Sequence, residues 1–302
     1  MSQPHDRLTL LRTFARIAER GSISAAARDL GLSQASASRQ LAALERRLGA
    51  RLVARTTHDL ALTEAGRACL AEARGLLAGW EALAERFDEG EGALRGRLKV
   101  IAPVALGQLA LAEAAARFVR AHPGIGLRWL LDDGAVRMAE AGADLWLRIG
   151  PVPDETLVVR PRGRGERLVV AAPGLVAAVE PRALGAAPCV AVEPFEGTRI
   201  PLAATDGRES VLAVAASLST DNIVAARAAV LAGAGWAVLP RWFVDADLAA
   251  GRLSDVLPDW RAPTLALNAA LLPGARRPRR LAAFLDHMAE AVRAMPGIAP
   301  PG

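Results

Sequence analysis

The chain has no tyrosine, and aromatic side chains make up only 4% of its 302 residues. Hydrophobic residues reach 52%, much of it alanine, so aliphatic side chains must build the cores. Lysine occurs once, at Lys99, and the rest of the 37 basic residues are arginine. Two cysteines, Cys69 and Cys189, lie far apart without a CxxC pair. That excludes a disulfide framework and points to free thiols in a reducing cytoplasm. Four scattered histidines offer no His/Cys cluster with metal-ligand spacing, so neither metal nor cofactor is expected. The longest apolar run, Ala228 to Leu239, contains two glycines and falls short of the roughly 20 residues a membrane-spanning helix needs. The first residues, MSQPHDRLTL, lack the basic segment and apolar core of a signal peptide. No nucleophile elbow and no phosphate-binding loop occurs. The glycines of Gly163-Arg164-Gly165 lack the strand-turn-helix setting of a dinucleotide loop and read as a turn. Catalysis has no support, and an enzyme is not expected.

What is present is length enough for two domains, and a net charge of +5 carried by arginine, whose fork suits phosphate oxygens. Up to Glu64 the chain holds ten arginines against six acidic residues, a balance that suits a nucleic-acid surface. Within that segment Gly21 to Leu48 reads as two helices around a tight turn. Ser22 caps the first helix and Ser33 the second. Ala26, Ala27 and Leu30 share one stripe, and Ala37, Leu41, Leu44 and Leu48 form the core face of the second helix. Its other face shows Gln34, Ser36 and Arg39, with Ser38 at the flank. Hydrogen-bonding side chains there suit reading of a major groove. An ordinary helical hairpin with a solvated face is the competing description. A preceding helix spans Leu8 to Glu19, with Leu11, Phe14, Ile17 and Ala18 inward. Arg51 to Leu62 forms a two-stranded wing with its tip near Thr57-His58-Asp59. Arg55 is a phosphate contact or a surface salt bridge.

The segment from Gly21 to Gly66 closely resembles the DNA-binding domain of LysR-type transcriptional regulators. The matching residues are Ala26-Ala27, Ser33-Gln34, Ser38-Arg39-Gln40, Leu44-Glu45, Leu48-Gly49, Arg55-Thr56 and Leu62-Thr63-Glu64-Ala65-Gly66. The resemblance implies a winged helix-turn-helix over residues 1–63 that binds double-stranded DNA through Ser33, Gln34, Ser36, Ser38, Arg39, Arg55 and His58. Val53 stands where the family often has Phe, and His58 where a basic wing residue is common. Thr63 then opens a helix to about Asp88, ~37 Å long at 1.5 Å per residue. Cys69, Ala73, Leu76, Trp80, Leu83 and Phe87 recur along it in heptad steps, a seam for a partner helix. The resemblance implies the family's dimerising linker helix over 64–92, with Ala73, Leu76, Trp80, Leu83 and Phe87 as its seam, and a homodimer or homotetramer. Glu89 to Gly96 is the hinge.

From Leu98 onward strands and helices alternate, a βαβαβ pattern that calls for a mainly parallel sheet covered on both faces. The expected order is a strand at 98–102, a helix at 107–122, a strand at 125–131, a short helix at 135–141 and a strand at 145–149. A second unit begins near Val169. It holds a strand at 189–192, a helix at 222–231 and a strand at 236–239. A returning strand at 265–272 and a last helix at 278–294 follow, and the final GIAPPG frays. Arg276 to Arg280 reads as a solvated run. Two lobes with two crossings resemble the effector-binding domain of the same regulators, itself similar to periplasmic binding proteins. Ala102-Pro103, Asp144-Leu145, Arg148-Ile149-Gly150, Thr220-Asp221 and Gly233-x-Gly235 with Leu239-Pro240 carry that resemblance. The fold class is therefore α+β multi-domain. A two-lobed α/β effector domain covers 93–302, with lobe one at about 97–168 and 269–302 and lobe two at about 169–268.

In such lobes ligands sit beyond the carboxyl ends of parallel strands. That places Pro103, Val104, Ala105, Arg148, Thr220 and Asp221 around an effector pocket. Arg148 is either a partner for a ligand carboxylate or a structural ion pair with Asp132, Asp133 or Asp154. Many family members carry a hydroxyl near Ala105. Its absence favours a small, partly apolar effector, an organic or aromatic acid. The leading reading is a DNA-binding regulator that responds to a small molecule, with no membrane partner. The competing ones are a small-molecule binding protein or enzyme with a helical appendage, and a constitutive DNA binder with no ligand.

Overall fold

The computed structural model describes residues 6–55, 60–85, 87, 93–174, 181–193, 197–274 and 277–301. The first of its elements are α1 (Arg7–Arg20), α2 (Ile23–Asp29) and α3 (Gln34–Leu48). Ser22 caps α2 by accepting the Ala25 N–H at 3.3 Å, and Ser33 caps α3 by accepting the Ser36 N–H at 3.1 Å. Phe14, Ile17, Ala26, Leu41, Leu44 and Leu52 close one small core. Leu48 is not part of it. The helix ends at Gly49 in a left-handed cap, and Leu48 is 51% exposed beside that turn. Strands β1 (Val53–Arg55) and β2 (Leu60–Leu62) pair antiparallel as the wing, Val53 opposite Leu62.

Thr63 caps α4 (Glu64–Ala84), accepting the Gly66 N–H at 2.9 Å. Gly66 is required there. A Cβ at that position would overlap the Leu52 carbonyl, so the glycine lets α4 start against the wing.

The second region begins with β3 (Gly96–Ala102) and a short π turn, Leu106–Ala110. Then come α5 (Ala112–Ala121), β4 (Ile125–Leu131), α6 (Met138–Ala141) and β5 (Leu145–Ile149). The helix expected from Gly107 is thus shortened by a turn at its start. Strand β6 (Val158–Ala171) starts well before Val169 and carries Gly163-Arg164-Gly165 within it. The expected turn is a strand for a steric reason. A Cβ at Gly163 would stand 2.7 Å from Ile298 of the chain end, which lies against it. Further on are α7 (Pro181–Leu184), β7 (Cys189–Val192), β8 (Arg199–Ala204), β9 (Glu209–Ala213) and β10 (Ala216–Thr220). Then follow α8 (Ile223–Leu231), β11 (Ala237–Pro240), α9 (Arg241–Ala249), β12 (Ser254–Asp255), β13 (Trp260–Leu271), α10 (Arg279–Arg293) and β14 (Ile298–Ala299). The expected frayed end is therefore a strand. Ile298 and Ala299 pair with Gly165 and Arg164.

Lobe one orders β4-β3-β5-β13, and β6 and β11 continue the sheet into lobe two. Strands β3, β4 and β5 are mutually parallel. Strand β13 runs antiparallel to both β5 and β6, so β6 shares the direction of β3 to β5. It leaves lobe one, where Val158 pairs Leu271, and enters lobe two, where Val170 pairs Ala237. Strand β11 opposes β6, β7 meets Trp236 in a parallel bridge, and β10 is parallel to β7. The carboxyl ends of the two lobes' strands therefore point at each other across the crossing. Phe118, Phe284 and Met288 of the flanking helices cover one face of lobe one, while Met138, Val136 and Leu157 cover the other.

Gly235 sits at φ +145°, where a Cβ would collide with the Pro188 carbonyl. Gly235→Ala should cost on the order of 2–4 kcal/mol from strain and overpacking together. Urea unfolding of the full chain checks it; a midpoint equal to wild type would show that the β7–β11 junction is not fixed by this contact.

Candidate nucleic-acid interface and effector cleft

The DNA-reading candidate is built from the first turns of α3. Gln34 and Arg39 are exposed, and Ser36 and Ser38 are half-buried at the flank. The Ser33 hydroxyl donates to Ser36 Oγ at 3.0 Å, and Arg39 Nη2 donates to the same oxygen at 3.0 Å. Arg39 is thereby held along the helix with its remaining donors toward solvent. Behind this face, buried Thr13 donates its hydroxyl to Gln40 Oε1 at 2.5 Å, which fixes α3 against α1. Glu45 accepts the backbone N–H of Leu52 at 2.8 Å, tying the far half of α3 to the wing. In the sequence Gln40 and Glu45 stand in the matching motifs without a role. Their partners lie in other elements, and only the fold shows them. His58 and the wing tip lie outside the described residues, as does the Arg55 side chain.

Helix α4 presents two faces. Ala73 is 1% exposed, and with half-buried Cys69 and Leu77 it packs within its own chain, so Ala73 leaves the outward seam. Leu76 at 58%, Trp80 at 49% and Phe87 at 75% are exposed, with Leu83 half-buried between them. The inner face docks on lobe one. Arg280 reaches Glu81 at 2.5 Å and Glu85 at 3.0 Å, and the Arg279 N–H reaches Glu85 at 2.6 Å. Within the run expected to be solvated, Arg280 is thus an internal bridge, because two carboxylates of α4 neutralise it.

In the cleft, Pro103 and Ala105 are buried and Val104 is half-buried at the carboxyl end of β3. The Val104 N–H already donates to Asp133 Oδ1 at 3.0 Å. Arg148 forms none of the carboxylate pairs considered. Its Nε donates to the Pro151 carbonyl at 2.8 Å, and Nη1 to the carbonyls of Asp133 at 3.2 Å and Gly134 at 3.1 Å. The guanidinium also lies 5.0 Å over the Trp146 ring. It knits the loops after β4 and β5 together. From lobe two, Thr220 Oγ1 accepts the Asn222 N–H at 3.2 Å, Asn222 caps α8, and Asp221 is exposed. Where the lobes meet, a small apolar cavity of about 30 Å³ is lined by Leu106, Ile149, Pro240, Trp242 and Leu267. Among the described residues no group of three or more His, Cys, Asp or Glu is placed to hold a metal ion. Nor is any helix there long and apolar enough to cross a membrane.

A capped reading helix, a wing, a long helix and a two-lobed α/β domain define a DNA-binding regulator with a ligand-binding-type domain. Residues 8–67 match the family model for the bacterial regulatory helix-turn-helix protein, lysR family, and residues 91–293 that for the LysR substrate binding domain. The chain belongs to the LysR family of transcriptional regulators and is not an enzyme. It is 32% identical over 292 residues to the HTH-type transcriptional regulator PtxR of Pseudomonas aeruginosa, covering 95% of this chain and 93% of that one. The fold is similar to a full-length OxyR variant of Pseudomonas aeruginosa, with a TM-score of 0.73 and 19% identity over 99% of this chain and 98% of that one. It is also similar to full-length LysG of Corynebacterium glutamicum with bound effector arginine, with a TM-score of 0.68 and 20% identity over 98% and 100%.

Two outcomes follow. Thr13→Val should cost about 1–3 kcal/mol, because Gln40 is left buried without its donor; thermal unfolding that matches wild type would contradict it. Arg148→Ala should destabilise lobe one by on the order of 2 kcal/mol through three lost bonds from a charged donor. Urea titration reads this, and no change would return Arg148 to a role in ligand binding alone.

Proposed function

We propose that this regulator reads double-stranded operator DNA through Gln34, Ser36, Ser38 and Arg39 of α3. Ser33, Arg55 and His58 hold adjacent phosphates. The observation that carries this is the capped α3 with its exposed polar first turns. Arg39→Ala should weaken operator binding by about 1–3 kcal/mol if the guanidinium pairs bidentately with a base. Footprinting on the DNA upstream of the protein's own gene is the check; unchanged affinity and sequence preference would remove Arg39 from the reading set.

The regulator works as a homodimer or homotetramer, because one winged domain reads only a half-site. Leu76, Trp80 and Leu83 recur in heptad steps on the outer face of α4, Phe87 follows in the turn after its end, and this stripe meets the same stripe of a second copy. Replacing Trp80 and Leu83 together by Glu should give monomers that no longer bind the operator. Sedimentation showing the wild-type assembly would rule the seam out.

The effector is a small, partly apolar organic or aromatic acid held between the lobes, near Pro103, Val104, Ala105, Thr220 and Asp221. The Val104 amide already holds a carboxylate, that of Asp133, so the effector's carboxylate competes for it. Asp133→Ala should then tighten binding of the responding acid, and Thr220→Val should weaken it. A thermal-shift screen of organic acids measures both; acids that stabilise all three proteins equally bind elsewhere.

A further inference from the structure

Between the DNA-binding domain and lobe one lies a cavity of about 910 Å³ that the reading above does not use. Its floor is the end of the β3–β4 pair. Lys99 stands directly opposite Arg128 there, and Arg97 lies two residues along β3, on the Lys99 face. Its walls come from α1, α4 and the start of α10. Nine basic side chains border it against three carboxylates, Glu19, Glu81 and Asp144.

Those carboxylates are already engaged. Glu19 holds Arg16 at 3.0 Å and Arg74 at 2.7 Å, Glu81 holds Arg280 at 2.5 Å, and Asp144 accepts the Lys99 backbone N–H at 2.8 Å. Arg12, Arg97, Arg128 and Arg277 have no carboxylate partner among the described residues. Adjacent like charges on a sheet repel. Burial pushes the Lys99 ammonium below its ordinary value, and Arg128 pushes it further. Arg74 is pushed down by burial too, and its Nε is buried without a hydrogen-bond partner. Gly142 keeps the walls close. A Cβ there would come within 2.8 Å of Glu19 and 2.9 Å of Arg74.

We propose that this basin is a second ligand site, for a compact polyanion bearing two or more phosphate or carboxylate groups, which fastens the DNA-binding domain to lobe one. The volume lies in the range of small-molecule sites, about 300–1,000 Å³, and a DNA duplex cannot enter it. A ligand touching both Arg12 of α1 and Arg128 of β4 binds only when the two domains are docked, so it stabilises that arrangement by mass action.

The test is a thermal-shift titration of the full-length protein with pyrophosphate and with citrate at constant ionic strength, with acetate as the monovalent control. Pyrophosphate and citrate should raise the melting temperature saturably, and acetate should not. The Arg97→Glu/Arg128→Glu variant should bind at least tenfold more weakly, and Arg97→Gln/Arg128→Gln serves if the reversed charges prevent folding. Arg120→Glu, an exposed change outside the basin, should leave the shift intact. Shifts equal in every variant, or no saturable shift at all, would overturn the proposal. So would a double variant that loses affinity for operator DNA alone while its pyrophosphate response stays that of wild type.

Discussion

The antiparallel pairing of β6 with β13 is the constraint on which the C-terminal region depends. Both strands pass through both lobes, so the direction of β6 sets the lobes' parallel strands pointing at one another. The pairing is irregular between Ala262 and Leu265 and again between Leu267 and Asn268, where the chain passes from one lobe to the other. Two features hold that passage. Strand β14 lies along Arg164 and Gly165, and Glu166 accepts from Arg261 at 2.6 Å and Arg241 at 3.2 Å. Burial works against the Glu166 charge, but Arg261 and Arg241 together hold its carboxyl below the ordinary range. Buried Asn268 donates to the Gly150 carbonyl at 2.8 Å, which fixes the end of β5 against the same strand.

Helix α4 joins this frame to the DNA-binding domain by a polar contact. Arg280 is only 12% exposed and is shared between Glu81 and Glu85, while its Nε donates to the Arg97 carbonyl at 3.1 Å. Arg280 is mostly shielded while Glu81 is half exposed, so removing either carboxylate leaves a partly buried guanidinium with one charge partner fewer. A change in lobe one that moves β3 or the start of α10 therefore bears directly on α4. The opposite side of α4 is apolar and exposed at Leu76 and Trp80.

Much of the N-terminal domain was legible because its signals are local. Ser22, Ser33 and Thr63 each cap a helix by accepting an N–H three residues on, a relation that sequence displays directly. Contacts between distant segments were not legible. The Gly163 to Gly165 stretch reads as a turn, and only the arrival of Ile298 explains why glycine is needed in a strand. Arg280 reads as one of a solvated run because its carboxylates lie nearly two hundred residues earlier. Arg148 lies near the end of β5, and backbone carbonyls that no side-chain pattern encodes take its donors. The β8–β9 hairpin escaped because Pro201, a residue that argues against a strand, interrupts Arg199 to Ala204, although Ile200 and Leu202 alternate with exposed neighbours.

The central claim is that α3 reads DNA while paired copies of α4 set the spacing of the half-sites. A structure of the full-length protein on its operator tests it most directly. The account predicts α3 in the major groove, with Gln34 and Arg39 at base edges and Trp80 buried against the second copy's α4. A complex with α3 turned away from the duplex, or with Trp80 in solvent, would contradict it.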